Sequence, residues 1–274
     1  MSGTPELFDY PARKLRRRRA DARNFILEEI VIEAQERRKT VNRSFASPAV
    51  VSWQKATWRE AFPDALIIED DNILDLTPLT HDLVIHGNSL HAANDPVGQL
   101  IQCRRALKSD GLFLGFAFGG QTLNELRATL ATCEIELTGG MSPRVFPMAE
   151  IRDLGGLLQR AGFALPVADS FTLRASYKNL PALFKDLRAM GETNSLKDRH
   201  RAYLGKAFLN RAEDIYRKNY SDEDDRLIAT FEIIILTGWA PDESQPKPLR
   251  PGSAAQRLAD ALGTKESPLP RQND

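Results

Sequence analysis

The chain has 274 residues, with 37 basic and 37 acidic side chains, a formal net charge of zero and 42% hydrophobic residues. This balance is typical of an ordinary globular protein, and no apolar run approaches the roughly 20 residues of a membrane span, so no transmembrane segment is predicted. Two cysteines, Cys103 and Cys133, exclude a disulfide framework, and four scattered histidines predict no metal site.

A basic block lies near the start of the chain, where residues 13–23 read RKLRRRRADAR. Such a block can bind nucleic acid, phosphate or an acidic protein face, but a single charge run is more often the solvated face of a helix, which we favour. Nucleic acid is a disfavoured partner because the net charge is zero and no aromatic residue is interleaved with Arg16 to Arg19. Without an apolar signal region, we expect a cytoplasmic protein with a basic N-terminal helical segment over 1–40.

The next elements are short and follow one another closely. Hydrophobic spacing predicts a helix over 23–39, a strand over 49–53, a short helix over 54–62, and strands over 65–68 and 83–85.

The middle of the chain alternates between helix and strand. Asp95 followed by Pro96 predicts the start of a helix that ends near residue 109, and the apolar run over 112–118 predicts a strand buried on both faces. Helices are predicted over 121–136 and 149–161.

The last elements change the order. A strand over 168–175, helices over 180–190 and 198–219, and a strand over 230–237 predict an α/β sheet with a hairpin-like antiparallel edge. Residues 241–274 are rich in proline and polar side chains and predict a flexible tail, with a short helix near 254–262.

Several stretches resemble a known family. Residues 81–120 (HDLVIHGNSLHAANDPVGQLIQCRRALKSDGLFLGFAFGG) are similar to the second half of a class I S-adenosylmethionine-dependent methyltransferase. The stretches at 118–127, 139–163, 186–195 and 231–239 resemble the family of the methyltransferase-like mitochondrial complex I assembly factor and its alphaproteobacterial relatives. The malonyl carrier-protein methyltransferase of biotin synthesis is a more distant likeness.

The resemblance implies a degenerate class I methyltransferase fold over 41–240. This fold is a Rossmann-like sheet with helices on both faces, an antiparallel edge strand and inserted helices after the fifth strand. It also implies S-adenosylmethionine as the cofactor, bound at the carboxyl ends of the parallel strands, where a glycine-rich turn lets the backbone approach the ligand.

That glycine-rich turn is missing from this chain. There is no glycine between Gly3 and Gly87, and the first strand is followed by SWQKATW at 52–58, whose Trp53 and Trp58 stand where the methionine and ribose need space. Residues 45–82 also leave room for only two strands and one helix, where the family has three strands and two helices. The sequence therefore argues against binding of the cofactor.

The resemblance assigns cofactor residues to two loops. Asp70 and Asp71 match the acidic pair that meets the adenine edge or a ribose hydroxyl, although a surface turn explains them equally well. His91 is a candidate general base in the loop after the next strand, or a polar residue packed at the sheet edge. The remaining cofactor candidates in this loop are His86, Gly87, Asn88 and Leu90.

Candidate substrate or partner residues follow the buried strand over 112–118. Gly119 and Gly120 permit close approach of a ligand or another backbone, or they form a turn that positions the neighbouring helices. The other residues that the resemblance places on this side are Thr122, Glu125, Arg127, Ser142 and Arg144.

Two functions follow from these features. The first is a methyltransferase-like protein without a working cofactor loop, a pseudoenzyme that binds a client protein, such as a subunit or assembly intermediate of respiratory complex I. The second is an active S-adenosylmethionine-dependent methyltransferase or an arginine-modifying enzyme of the same family.

Overall fold

A six-stranded mixed sheet forms the centre of the fold in the computed structural model, which describes residues 6–21, 24–201 and 205–246. Its strands are β1 (Pro48–Val51), β2 (Leu66–Ile68), β3 (His81–His86), β4 (Leu107–Phe118), β5 (Ala164–Tyr177) and β6 (Leu227–Trp239). The order is β2-β1-β3-β4-β6-β5; the first four are parallel, and β6 is antiparallel to both β4 and β5. The predicted α/β fold class with an antiparallel edge is confirmed.

Helices cover both faces of this sheet. The described helices are α1 (Tyr10–Arg17), α2 (Phe25–Thr40), α3 (Lys55–Ala61), α4 (Pro96–Ala106), α5 (Asn124–Thr138), α6 (Ile151–Arg160), α7 (Leu180–Ala189) and α8 (Lys206–Tyr220). Apolar residues of α2, α3, α5, α7 and α8 form one core with the sheet, and those of α4 and α6 form a second. Helices α7 and α8 lie between β5 and β6 in the chain, so the predicted insertion after the fifth strand is confirmed.

Local sequence signals explain several boundaries. The Asp95 side chain accepts a hydrogen bond from the Gly98 amide at 2.7 Å and caps α4, with proline in its first turn. Helix α6 is followed by Gly162 at φ +82°, a conformation that glycine adopts without steric cost. All residues of β4 from Gly111 onward are buried, as the apolar run predicts for a covered strand.

The largest differences between predicted and observed boundaries are at the starts of β4 and α8. Strand β4 begins at Leu107, before the helix end predicted near residue 109, because Leu107 already pairs with His81 and a register shift absorbs the intervening residues. Helix α8 begins at Lys206, whereas the sequence pattern predicts a start at residue 198.

The prediction of two strands and one helix between residues 45 and 82 is confirmed by β1, α3 and β2. Described residues up to Asp242 belong to one compact unit, which includes α1 and α2. The predicted helix near 254–262 lies outside the described residues. No helix in the described ranges is long and apolar enough to cross a bilayer.

Candidate functional site

The carboxyl ends of the parallel strands form the cleft where the resemblance places a cofactor. Strands β1, β2 and β3 run in the same direction, so the loops that follow them meet at one edge of the sheet. The predicted residues that follow β2 are Asp70 and Asp71, and those at the end of β3 and beyond it are His86, Gly87, Asn88, Leu90 and His91. We call this region the strand-end cleft.

Two guanidinium groups from α1 form ion pairs with the carboxylate of Asp70. Arg17 Nη1 lies 2.6 Å from one carboxylate oxygen and Arg13 Nη2 lies 3.2 Å from the other, and the Asp70 side chain is only 3% exposed. Burial alone would raise the pKa of Asp70, but the charges of Arg17 and Arg13 outweigh burial and lower this pKa to about 2. Asp70 is therefore ionised at neutral pH, and both of its oxygens already have cationic partners.

Helix α1 is fixed to the cleft by contacts along its length. Asp9 caps the helix by accepting from the Ala12 amide at 3.0 Å, and Arg13 and Arg17 fall on one face because they are four residues apart. Arg13 Nη1 also donates to the carbonyl oxygen of Ala92 at 2.7 Å. For Arg13 and Arg17 the prediction of a solvated basic face is wrong, because both side chains are nearly buried and pair with Asp70.

The indole of Trp58 fills the space beside Gly87. Trp58 is fully buried on α3, and a Cβ atom added to Gly87 would lie 2.8 Å from its ring. Trp53, in the turn after β1, lies beneath the Arg17 guanidinium at 5.0 Å from the ring centroid. Trp58 thus packs against the end of β3, and Trp53 packs against α1.

The resemblance implies S-adenosylmethionine at this edge of the sheet, but the residues of the strand-end cleft do not fit that cofactor. The acid at the end of β2 is bound by Arg13 and Arg17, and Trp58 packs where a glycine-rich turn would leave room. The remaining cavity measures about 300 Å³ and opens between α1 and the acidic loop. Its described lining consists of Tyr10, Arg13, Lys14, Arg17, Arg18, Trp53, Glu69, Asp70 and Asp71.

The predicted histidines lie beneath the cleft. His86 is fully buried with Nε2 at 3.0 Å from Gln99 Oε1, and burial lowers the pKa of His86 to about 4, so its ring is neutral at pH 7. Leu90 belongs to the second hydrophobic core, and Asn88 adopts a left-handed φ of 50°. Asp71 uses its carbonyl oxygen to accept from Gln99 Nε2 at 3.0 Å.

The candidate base His91 forms a buried pair with Glu192. The Phe118 amide donates to His91 Nδ1 at 3.4 Å, and His91 Nε2 lies 3.3 Å from a carboxylate oxygen of Glu192. Burial would raise the pKa of Glu192, but the nearby His91 and the arginines of α1 lower it. Among the described residues, Glu192 connects this histidine to a second cavity.

The second cavity lies between α5, α7 and the loops near residues 145 and 195, and it measures about 510 Å³. Its apolar floor is formed by Phe118, Leu123, Leu126, Leu130, Val145, Phe146, Met148, Phe184, Leu187 and Phe231. Its charged lining contains Arg16, Arg144, Arg188, Arg199, Arg201, His200 and Glu192. We call this cavity the arginine-rimmed pocket.

The two glycines after β4 are covered by side chains of this chain. An added Cβ atom would collide with the Glu232 carboxylate at Gly119 and with the Glu150 carboxylate at Gly120. Thr122 Oγ1 donates to the carbonyl oxygen of Glu232 at 3.0 Å. The close approach predicted for this turn is therefore made by Glu232 and Glu150.

The remaining substrate-side candidates divide between two places. Glu125 accepts a hydrogen bond from the Thr230 amide at 3.2 Å, and Arg127 Nη1 donates to the carbonyl oxygen of Gly120 at 3.2 Å. Ser142 Oγ and Arg144 Nη2 both donate hydrogen bonds to the Glu134 carboxylate. The distance from Arg144 Nη2 to Glu134 Oε1 is 2.7 Å. Of these candidates, Thr122 and Arg144 line the arginine-rimmed pocket.

Sequence reasoning missed the two features that define these cavities. The basic block indicates that Arg13 and Arg17 can bind an anionic group, but nothing in the block indicates that this group is the Asp70 carboxylate. Glu192 lies in the stretch at 186–195 that carries the family resemblance, but nothing in that stretch indicates that it pairs with a histidine 101 positions away. Within the described ranges, no three His, Cys, Asp or Glu side chains converge as metal ligands.

Comparisons with known proteins identify relatives along most of the chain, although no family model matches it. The chain is 40% identical over 206 residues to the mitochondrial arginine-hydroxylase NDUFAF5 of Dictyostelium discoideum, covering 75% of this chain but 47% of that protein. It is 35% identical over 267 residues to the NDUFAF5 of Rattus norvegicus, covering 93% of this chain and 78% of that protein.

More distant similarities are to methyltransferases. The chain is 32% identical over 177 residues to the malonyl-[acyl-carrier protein] O-methyltransferase of Laribacter hongkongensis, covering 65% of this chain and 57% of that protein. Among solved structures, the phosphoethanolamine N-methyltransferase 2 of Haemonchus contortus matches with a TM-score of 0.40 and 12% identity, over 76% of this chain and 52% of that one. The resemblance drawn from the sequence is confirmed. The predicted cytoplasmic location is wrong, because the NDUFAF5 relatives are named as mitochondrial proteins.

Proposed function

Since the chain belongs to the methyltransferase-like family that includes the mitochondrial arginine hydroxylases NDUFAF5, we propose that it acts by binding a client protein, and that its own residues close its strand-end cleft to S-adenosylmethionine. The client is a subunit or assembly intermediate of respiratory complex I. The observation that carries this proposal is the engagement of Asp70 by Arg13 and Arg17.

The energetics of that contact support a closed cleft. Asp70 is 3% exposed, and separating a buried carboxylate from its cationic partners costs about 3–5 kcal/mol, since it leaves charges unpaired away from water. A cofactor would have to supply this energy in addition to displacing the Trp58 indole from Gly87. Binding of S-adenosylmethionine at this edge is therefore strongly disfavoured.

Isothermal titration calorimetry with S-adenosylmethionine tests the closed cleft. We expect no saturable binding at millimolar cofactor, while an active methyltransferase measured in the same way serves as the positive control. A Kd in the micromolar range that is lost in the Asp70→Ala variant would overturn the proposal, because it would place the cofactor against the acid that α1 covers.

A second candidate function is modification of an arginine on the client, as the names of the relatives suggest. The geometry favours it in one respect: Asp70 binds guanidinium groups, so a client arginine could take the place of Arg17 once α1 moves away. Hydroxylation would also need dioxygen and a two-electron reductant from outside the chain.

Mass spectrometry of the client separates the two candidates. The tagged full chain is purified together with complex I subunits from its own cells, and client arginines are compared with those from cells that lack the chain. Under the binding proposal, subunits copurify and their arginines carry the same mass in both samples. An added oxygen atom or methyl group that depends on the chain would instead establish the enzyme.

A further inference from the structure

The arginine-rimmed pocket has the size and lining of a small-molecule site. Its volume of about 510 Å³ lies within the roughly 300–1,000 Å³ typical of ligand pockets, and its floor is built from aromatic and aliphatic side chains. It shares no described lining residue with the remaining strand-end cavity, so the two cavities are separate.

The rim of this pocket carries an excess of positive charge. Five arginines line it, whereas Glu192 is the single acidic residue of its described lining. Glu192 is hydrogen-bonded to His91 Nε2 at 3.3 Å, and its single carboxylate faces five guanidinium groups. The nearest counterions of the arginines are Asp9, which contacts Arg199, and Glu134, which contacts Arg144.

Two of the five arginines remain available to a ligand. The Arg188 side chain makes no hydrogen bond or ion pair with the part of the chain that the structure describes, and Arg188 is exposed. Arg201 has a side chain that is 70% exposed, and it reaches Asp9 only at 3.5 Å through an oxygen that Arg199 already holds at 2.9 Å. Both side chains are therefore open to an anionic group of a ligand.

The wall of the pocket also contains polar atoms without partners. Arg144 Nε and Thr193 Oγ1 are buried, and neither has a hydrogen-bond partner in the described ranges. Buried donors are normally satisfied, and leaving one unpaired destabilises the protein. The described lining therefore offers more donors than acceptors, which is the complement of an acid.

We propose that the arginine-rimmed pocket binds a small amphipathic acid, whose apolar body lies on the aromatic floor and whose carboxylate or phosphate group is bound by Arg188 and Arg201. Arginine recognises both head groups through paired, charge-assisted hydrogen bonds. A cationic ligand is repelled by the rim, and a neutral apolar ligand leaves the rim without a partner. This inference goes beyond the proposed function, since it involves neither the client nor the strand-end cleft.

Matched ten-carbon probes test the proposal by calorimetry on the full chain, below the concentrations at which the probes form micelles. Decanoate and decyl phosphate supply the anion, decanol has the same apolar body without charge, and decylamine reverses the charge. We expect at least one of the two anions to bind at least tenfold more tightly than decanol, and decylamine to bind more weakly than decanol. Decanol binding as tightly as both anions would overturn the proposal.

Two variants locate the site. Arg188→Gln should weaken binding of the anions about tenfold, the effect of losing one charge-assisted hydrogen bond, and leave decanol unchanged. The matched control is Lys185→Gln, which removes an exposed charge from the same helix outside the pocket and should have no effect. Equal effects of the two substitutions would show general charge attraction and refute the site.

A variant of the floor completes the test. Phe184→Ala should weaken binding of anions and decanol alike, because it removes apolar surface and no charge. Circular dichroism checks that each variant is folded. The titration with S-adenosylmethionine has no bearing on these results, so failure of one proposal is distinguishable from failure of the other.

Discussion

The substitution Asp70→Asn tests whether the contact between α1 and the strand-end cleft is a buried ionic cluster. It keeps the shape of the side chain and removes the charge that neutralises Arg13 and Arg17. The pKa of Asp70 is lowered from 3.8 to about 2, which corresponds to about 2–3 kcal/mol between its ionised and protonated forms. Replacement also leaves two buried guanidinium groups facing each other, so we expect a total loss of about 3–5 kcal/mol.

Urea denaturation at pH 7 measures this loss as a change in the free energy of unfolding. The control is Glu36→Gln, which removes an ion pair of 3.0 Å with Lys39 whose side chains are 61% and 64% exposed, and it should cost less than about 1 kcal/mol. Adding Arg13→Met and Arg17→Met to Asp70→Asn should recover most of the loss, because apolar groups of similar volume can replace a buried ionic cluster. If Asp70→Asn costs no more than Glu36→Gln, the cluster is solvated and the closed cleft loses its energetic basis.

Two further predictions concern the same edge of the sheet. Gly87→Ala should destabilise the protein by about 1–3 kcal/mol, because the new Cβ atom would lie 2.8 Å from the Trp58 ring. The double variant with Trp58→Phe should lose less stability in urea denaturation than the sum of the two single variants. Strictly additive losses would contradict the contact between Gly87 and Trp58. His86 has a folded-state pKa of about 4 against 6.5 in the unfolded chain, so the unfolded state binds its proton first and stability should fall by about 3 kcal/mol as pH drops from 6.5 to 4. Unfolding measured across this range should show a shallower pH dependence for His86→Gln, and an unchanged slope would mean that His86 is not buried in its neutral form.

The sequence predicts well those parts of the fold that depend on local signals. Asp95 and Pro96 identify the start of α4, and the apolar run over 112–118 identifies a strand covered on both faces, because capping and burial each leave a pattern within a few residues. The missing glycine after β1 is equally local, and it correctly directs attention to Trp53 and Trp58.

The contacts between distant segments could not be predicted in this way. Arg13 and Asp70 are 57 positions apart, and a run of arginines has the same pattern whether it faces water or a buried acid. The carboxylates of Glu150 and Glu232 likewise lie against Gly120 and Gly119, although they come from distant segments of the chain. The two glycines predicted space for a ligand, and side chains of the same protein occupy that space.

Electrostatics places the two proposed ligands at different sites. The strand-end cleft holds a buried carboxylate with a strongly lowered pKa, and its partners are guanidinium groups, so its chemistry suits an arginine. The arginine-rimmed pocket carries five arginines against one acidic residue of its described lining, Glu192, so a client arginine would be repelled there. If this chain modifies arginine like its named relatives, the client residue must therefore compete with Arg17 for Asp70. Arg17→Ala should then increase modification of the client by opening the cleft, whereas under the binding proposal the arginines of the client stay unmodified in this variant too.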